Sequence, residues 1–320
     1  CARPRTSGHR LYDGHAVVEV SNGIKGLDAV YKNTPLEGDS YAETLELQVV
    51  SGEVASTARL QFRGNAHHGN DREAELHTLI EGAFERARAG NKRSVVLFIH
   101  GFGKSFEASL AQAYGLRQAF PECEPILYSW EAGRAGGVLA ALAGVGAARH
   151  SAEVGVHGLS VVLKAFGGAE AHGMSKVIVA RSAGSLALFE ALWGQGDCFS
   201  GVQRVVLSAP LLKWSEYKRN KSFAELKTQV VVTRNRNDQT LKFADWIDGF
   251  GPMLGLEEGF GGASPGQICL DFTDSPRVGR LHDYLFLKIN PAQSEINRRL
   301  MTDAVFDPLQ AVDEHLLGPE

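Results

Sequence analysis

Short apolar runs, rich in valine, isoleucine and leucine, recur along the chain from residue 95 onward. Each run is too short for a helix and lacks the alternation of a half-exposed strand, so each predicts a strand buried on both faces of a sheet. The runs are Val95–Ile99, Pro125–Trp130, Lys176–Ala180, Arg204–Ala209, Gln229–Thr233 and Ile268–Phe272.

Several segments between these runs carry apolar residues at helical spacing. Ser105–Phe120 is one, the second half of Glu131–Gly168 is another, and a third begins after Ser182, where Leu186, Phe189 and Leu192 recur. Strands that alternate with helices imply right-handed crossovers. The pattern therefore predicts an α/β fold with a mostly parallel sheet covered by helices on both faces.

The N-terminal part of the chain has a different pattern. Tyr41–Val50 and Ser56–Phe62 alternate polar and apolar residues and predict a β-hairpin, while Leu11–Asp39 has no clear period and predicts an irregular arm. An amphipathic helix is predicted from Asp71 to Gly90. We expect residues 1–90 to form an arm, a β-hairpin extension and a covering helix, packed as one unit with a catalytic domain at residues 91–320.

The sharpest change of pattern lies at Ser182. A buried strand ends at Ala180 and a helix follows within a few residues, so Ser182 lies on a tight strand-to-helix turn beside Gly184. Such a turn exposes a serine hydroxyl above the sheet and next to a helix N-terminus, as a nucleophile requires. The alternative is that Ser182 is an ordinary helix N-cap.

Two further polar residues follow buried strands. Asp238 comes after Gln229–Thr233, and His282 comes after Ile268–Phe272. The carboxyl ends of parallel strands meet at one edge of a sheet, so Ser182, Asp238 and His282 are predicted to converge there. Taken alone, Asp238 could cap the next helix and His282 could be a loop histidine.

Composition narrows the choice of function. The chain has 320 residues, 44% of them hydrophobic and 22% charged, with a formal charge of −4 and a pI near 6.3. These values fit a globular protein with a large core. They argue against nonspecific electrostatic binding to nucleic acid. The longest strongly apolar stretch, Val138–Ala147, is too short to span a bilayer.

The four cysteines have no metal-ligand spacing and are predicted to be free thiols. Cys1 precedes a short polar, basic stretch and looks like the first residue of a mature bacterial lipoprotein, which would attach to a membrane of the cell envelope through lipid on Cys1. The alternative is that Cys1 is only the boundary of a trimmed sequence. In that case the sequence is equally compatible with a cytoplasmic location.

These motifs resemble the α/β hydrolases of unknown function called DUF900. The resemblance runs from Val95 to about Phe286, through VVLFIHGF, ILYSW, VIVARSAGSLAL, VVLSAP, VVVTRNRND and LHDYLF. It implies the α/β-hydrolase fold and a catalytic triad of Ser182, Asp238 and His282, in the chain order that these hydrolases share. The chain departs from the family in having Ala180 in place of glycine, Arg181 where a histidine usually stands, and Arg280-Leu281 before its histidine.

The loop after the strand Val95–Ile99 completes the predicted site. His100-Gly101 stands where hydrolases place one backbone amide of an oxyanion hole, so the two amides are predicted to be those of Phe102 and Ala183. Gly103-Lys104-Ser105 resembles the end of a phosphate-binding loop, but Phe98 occupies the position of its first glycine, which argues against nucleotide binding.

The implied activity is that of a serine hydrolase, acting on an ester, thioester or amide of a small or lipidic acyl substrate through an acyl-enzyme on Ser182. This mechanism needs neither a metal ion nor an organic cofactor. Two alternatives remain open from the sequence, namely a hydrolase-fold binding protein without catalysis and an acyltransferase that uses the same triad. Arg181 either favours an anionic substrate or points away from the pocket to pair with a carboxylate.

Overall fold

The computed structural model describes residues 10–20, 23–33, 40–51, 54–66, 72–103, 106–130, 158–192, 201–219, 228–248, 251–257, 266–275 and 278–282, with a few isolated positions, and most of their side chains from residue 76 onward. The strands are β1 (Arg10–Val20), β2 (Gly23–Asn33), β3 (Ser40–Ser51), β4 (Val54–Ala66), β5 (Ser94–Ile99), β6 (Cys123–Ser129), β7 (Ser175–Arg181), β8 (Arg204–Ser208), β9 (Gln229–Arg234) and β10 (Gln267–Asp271). The helices are α1 (Arg72–Ala89), α2 (Phe106–Ala119), α3 (158–168), α4 (Gly184–Leu192), α5 (Trp214–Arg219) and α6 (Gln239–Asp248).

Six parallel strands form the part of the sheet that carries the site. Their order is β10-β9-β8-β7-β5-β6. Each contains or closely matches one of the six apolar runs, so the predicted buried strands are confirmed. The order reverses its direction between β5 and β7, and such a reversal creates a crevice above the carboxyl ends of the strands.

Helices cover both faces of this parallel sheet, as predicted. Val95, Leu97 and Ile99 of β5 lie in one buried cluster that includes residues of α1, α3 and α4. Val96 and Phe98 project to the opposite face, because side chains alternate along a strand, and they are buried as well. Buried residues of α2, which packs on β6, lie outside that cluster and cover the opposite face.

The N-terminal strands join this sheet at its β6 edge. β2 pairs parallel with β6, and β1, β4 and β3 follow outward in antiparallel pairs. β2 therefore supplies the backbone partner that the outer edge of β6 would otherwise lack. The two segments predicted as a hairpin lie within β3 and β4, where Ser51 is opposite Val54.

The prediction of an irregular arm over Leu11–Asp39 is wrong, because the backbone forms β1 and β2 there. Val20 is opposite Gly23, and only two residues separate the strands. The two connecting residues are Ser21 and Asn22, both of residue types that are common in turns. Glycines within both strands interrupt the alternation on which the sequence prediction depended.

The helix predicted from Asp71 to Gly90 is confirmed as α1, whose apolar face is buried. The division of the chain between residues 90 and 91 stays a prediction. Cys1 lies outside the described residues, so its lipidation is likewise a prediction only. Among the helices that the structure describes, none combines the length and the apolar character needed to cross a bilayer.

Candidate active site

Ser182 lies on a strained turn directly after β7. Its φ angle is 51°, in the left-handed region that few residues other than glycine adopt. The Ser182 N–H donates to Ser208 O at 2.8 Å, while the Ser182 carbonyl accepts from Ser185 N (3.0 Å), Ser185 Oγ (2.5 Å) and Leu211 N (3.1 Å). The turn is therefore fixed on both sides of the strained residue.

Two close backbone approaches also depend on glycine. A Cβ atom at Gly184 would lie 2.5 Å from Ile99 O and 2.7 Å from His100 O, so α4 begins in contact with the end of β5. A Cβ atom at Gly101 would lie 3.0 Å from Ser182 Cβ. The His-Gly loop and the serine turn therefore pack directly against each other.

Ser182→Gly is expected to raise the free energy of unfolding by about 1 kcal/mol, because glycine adopts a positive φ without strain. Urea unfolding of Ser182→Gly beside Ser182→Ala measures this, since alanine lacks the hydroxyl but keeps the strain. A Ser182→Gly variant no more stable than Ser182→Ala would show that the turn carries no strain.

Ser182, His282 and Asp238 form a continuous chain of hydrogen bonds. His282 Nδ1 lies 2.7 Å from Asp238 Oδ2, and His282 Nε2 lies 2.8 Å from Ser182 Oγ. A carboxylate can only accept, so the His282 proton is on Nδ1 and the Nε2 lone pair of the neutral ring faces the serine hydroxyl. The structure thus brings together the three residues that the sequence predicted to converge.

The carboxylate of Asp238 has two roles at once. Its Oδ1 accepts from Leu241 N at 3.0 Å, which caps α6 at its N-terminus, and its Oδ2 accepts from His282. The residue is fully buried, and the helix dipole and both donors stabilise its charge there. Helix capping and histidine orientation, treated as alternatives for Asp238 from the sequence, occur together.

His100 organises the loop between β5 and α2. Its Nε2 accepts the Trp130 backbone N–H at 3.1 Å, which places the His100 proton on Nδ1, and Nδ1 then donates to Gly101 O at 2.8 Å. Trp130 Nε1 in turn donates to His100 O at 2.8 Å. With both ring nitrogens used inside the protein, His100 acts as a loop organiser and Trp130 as a packing residue.

The two predicted oxyanion-hole amides lie on the two segments that meet at Ser182. Ala183 follows Ser182 and precedes the first residue of α4, where negative charge is stabilised. Phe102 follows Gly101, whose Cα approaches the Ser182 side chain. Among the described residues, no backbone oxygen accepts a hydrogen bond from either N–H. The role of the two amides as an oxyanion hole stays a prediction.

Arg181, the last residue of β7, is buried, with 6% of its surface exposed. Its Nη1 lies 3.2 Å from the position that a Gly101 Cβ would take, so the guanidinium packs against the His-Gly loop. The same built position lies 3.0 Å from Ser182 Cβ, so the guanidinium is close to the serine, and the choice between the two interpretations of Arg181 stays a prediction.

A family model decides the relationship of the chain to known proteins. The model described as "Alpha/beta hydrolase of unknown function (DUF900)" matches residues 78–254, more than half of the chain. The chain belongs to this family. The match includes Ser182 and Asp238 and ends before His282. No curated protein matches the sequence.

Solved structures similar to this DUF900 protein include two esterases. The apo form of Thermogutta terrifontis esterase 2 shares 15% identity, with 72% of this chain and 87% of that chain covered and a TM-score of 0.32. A structure of an arylesterase shares 13% identity, with coverages of 82% and 83% and a TM-score of 0.33. These scores are too low to add to the assignment of the fold, which the family match and the parallel sheet establish.

The two described cysteines of this DUF900 protein are poor alternatives to Ser182 as nucleophiles. Both are free thiols, as predicted for them. Burial raises the pKa of Cys123 to about 12 and that of Cys269 to about 11, so both stay protonated near neutral pH. Neither thiol is therefore activated.

Sequence reasoning missed Asn235, a fully buried residue that contacts the loops of both Asp238 and His282. A polar residue directly after the buried strand β9 was the available signal. That signal does not distinguish Asn235 from Asn237, because both stand in the same RNRND segment. Only the folded loops show which of the two amides faces the histidine loop.

Proposed function

We propose that this DUF900 protein is a serine hydrolase that cleaves an ester of a small or lipidic acyl substrate through an acyl-enzyme on Ser182. The observation that carries the proposal is the hydrogen-bond chain from Ser182 Oγ through the His282 imidazole to the buried Asp238 carboxylate. Three side chains in this order and geometry are what nucleophilic acyl transfer requires.

In the acylation half, His282 Nε2 takes the proton of Ser182 as Oγ attacks the substrate carbonyl. The new C–O bond forms while the carbonyl π electrons move to oxygen, which leaves a tetrahedral oxyanion. Asp238 holds the imidazole in the tautomer that has Nε2 free and stabilises the imidazolium. His282 then gives its proton to the leaving alcohol as the bond between that alcohol and the acyl carbon breaks.

The oxyanion would be stabilised by the backbone amides of Phe102 and Ala183, each worth about 3 kcal/mol in a site that excludes water. Water attacks the acyl-enzyme next, with His282 as the base, and releases the acid and the free serine. Thioesters and amides can react through the same sequence of bonds, so the triad by itself fixes the reaction class and not the leaving group.

Labelling with a fluorophosphonate probe tests the proposal, because the probe phosphonylates only an activated serine. We expect labelling of the wild type at Ser182, identified by peptide mass, and its loss in Ser182→Ala and His282→Ala. The matched control is Ser160→Ala, which removes a buried serine that donates to Ala191 O on α4. Ser160→Ala should label like the wild type.

A folded wild type that the probe does not label would count against the hydrolase and favour the binding-protein alternative. If labelling succeeds, p-nitrophenyl esters of graded acyl length measure the size of the acyl pocket. Product analysis with and without an added alcohol then separates hydrolysis from acyl transfer. An ester product that appears only with the alcohol would identify a transferase.

A further inference from the structure

The Asn235 side chain connects β9 to the loop that carries His282. Its Nδ2 group donates one hydrogen to Gly279 O at 3.0 Å and the other to Leu281 O at 3.2 Å. These two carbonyls flank Arg280, and Leu281 directly precedes His282. Both amide hydrogens are thus used to fix the backbone at the residue before the histidine.

The same residue also fixes the loop that carries Asp238. Asn235 Oδ1 accepts from Asn237 N at 3.0 Å, and the Asn235 carbonyl accepts from Asp238 N at 3.0 Å. The Asn235 N–H donates to Gly255 O at 2.9 Å, which ties the residue to a third segment. Asn235 itself is fully buried, so its own donors and acceptors depend on these protein partners.

We propose that Asn235 is a positioning residue that sets the separation between the Asp238 carboxylate and the His282 imidazole. The effect of Asn235 on catalysis rests on the proposed function. The role of Asn235 in holding the two loops together does not depend on that function. Asp238 and His282 are 44 residues apart in the chain and lie on different loops, yet Nδ1 and Oδ2 are held at 2.7 Å. Asn235 is bonded to both loops and can fix that distance.

An amide is required at position 235 because the side chain must donate twice and accept once. An aspartate of the same shape keeps only acceptors, so its carboxylate would face the carbonyls of Gly279 and Leu281 and repel them. An alanine would leave those two carbonyls without this donor and would release the histidine loop. Both changes should move the His282 ring relative to Asp238 and Ser182.

The experiment compares Asn235→Asp and Asn235→Ala with Asn237→Ala. Asn237 is the matched control, since it stands in the same loop but its amide donates to Thr273 O at 2.9 Å. For phosphonylation by a fluorophosphonate, we expect both Asn235 variants to lower kinact about 10²-fold, because a displacement of about 1 Å has an effect of this size. The constant KI for probe binding should change little, and Asn237→Ala should stay within about threefold of the wild type.

A nuclear magnetic resonance signal separates positioning from a general loss of structure. An imidazole N–H bonded to a carboxylate gives a far-downfield proton signal, which we expect in the wild type and in Asn237→Ala. It should be lost in folded Asn235→Ala. A retained signal together with a kinact equal to that of Asn237→Ala would overturn the inference.

A measurement on the wild type covers the case in which the Asn235 variants do not fold. Both Nδ2 protons of Asn235 are buried and donated, so they should exchange with solvent far more slowly than those of an exposed asparagine. Fast exchange would show that the Asn235 amide does not hold the histidine loop and would overturn the inference. If the wild type is not labelled at all, the proposed function fails, while the downfield signal and the exchange rates still decide the role of Asn235.

Discussion

Asp238→Asn is expected to lower kcat about 10⁴-fold while KM and the free energy of unfolding change little. The reason is the two roles of this carboxylate. An asparagine at position 238 can still accept from Leu241 N with its side-chain oxygen and so keep the cap on α6. Its NH₂ group would then face His282 and force Nδ1 to become the acceptor.

The consequence for catalysis follows from the tautomer of His282. With Nδ1 as the acceptor, the ring proton moves to Nε2, which then points a donor at Ser182 Oγ in place of a lone pair. His282 can no longer take the serine proton, and the imidazolium loses its counter-charge. Binding of the substrate does not depend on that proton, so the defect should appear in kcat.

Steady-state kinetics on the best ester substrate, together with urea unfolding, measure this prediction. Asp274→Asn is the matched control, because Asp274 is exposed and the same exchange there should leave kcat within about threefold. A variant at position 238 that keeps more than a tenth of the wild-type kcat would show that another group orients His282. A large loss of stability would show that the cap is not retained.

Gly184→Ala is expected to destabilise the protein by about 3 kcal/mol or more and to abolish labelling of Ser182. The added methyl group would lie 2.5 Å and 2.7 Å from the carbonyl oxygens of Ile99 and His100. Both contacts are with backbone at the end of the central strand β5, which cannot turn aside as a flexible side chain can. The start of α4 must therefore move away, and Ala183 and Ser182 must move with it.

Gly168→Ala provides the comparison, because it is the same chemical change with open space around the new methyl group. Gly168 is the last residue of α3, and alanine there should change the free energy of unfolding by less than about 1 kcal/mol, in the stabilising direction. Thermal melts of both variants compare their stability, and fluorophosphonate labelling compares the reactivity of Ser182. Equal stability of the two would contradict the close approach at Gly184.

The parallel half of the sheet could be predicted because burial on both faces gives each strand a simple apolar signature. Even the boundaries of β5, β8 and β9 agree with the predicted runs to within a residue or so. The strands β1 and β2 could not be found in this way, since Gly14 and Gly26 break their alternation. β2 also pairs with β6 and β1 with β4, and these are tertiary contacts that no local pattern encodes.

The members of the site were predictable because each follows a buried strand, and strand ends of a parallel sheet meet at one edge. What the sequence cannot give is the geometry between them. His282 and Ser182 are separated by 100 residues, and their contact at 2.8 Å depends on how intervening loops pack. The function of Asn235 was hidden for the same reason, since its partners Gly279 and Leu281 are distant in the chain.

The double use of the Asp238 carboxylate affects how related sequences can be interpreted. A relative that lost its activity would still gain stability from an aspartate that caps α6, so selection for folding alone would preserve that position. The same selection would favour the replacement of Ser182, whose backbone is strained, and it has less reason to keep His282. The presence of this aspartate in a homologous chain is therefore weak evidence that the chain is an active enzyme. The presence of the serine on the strained turn is strong evidence.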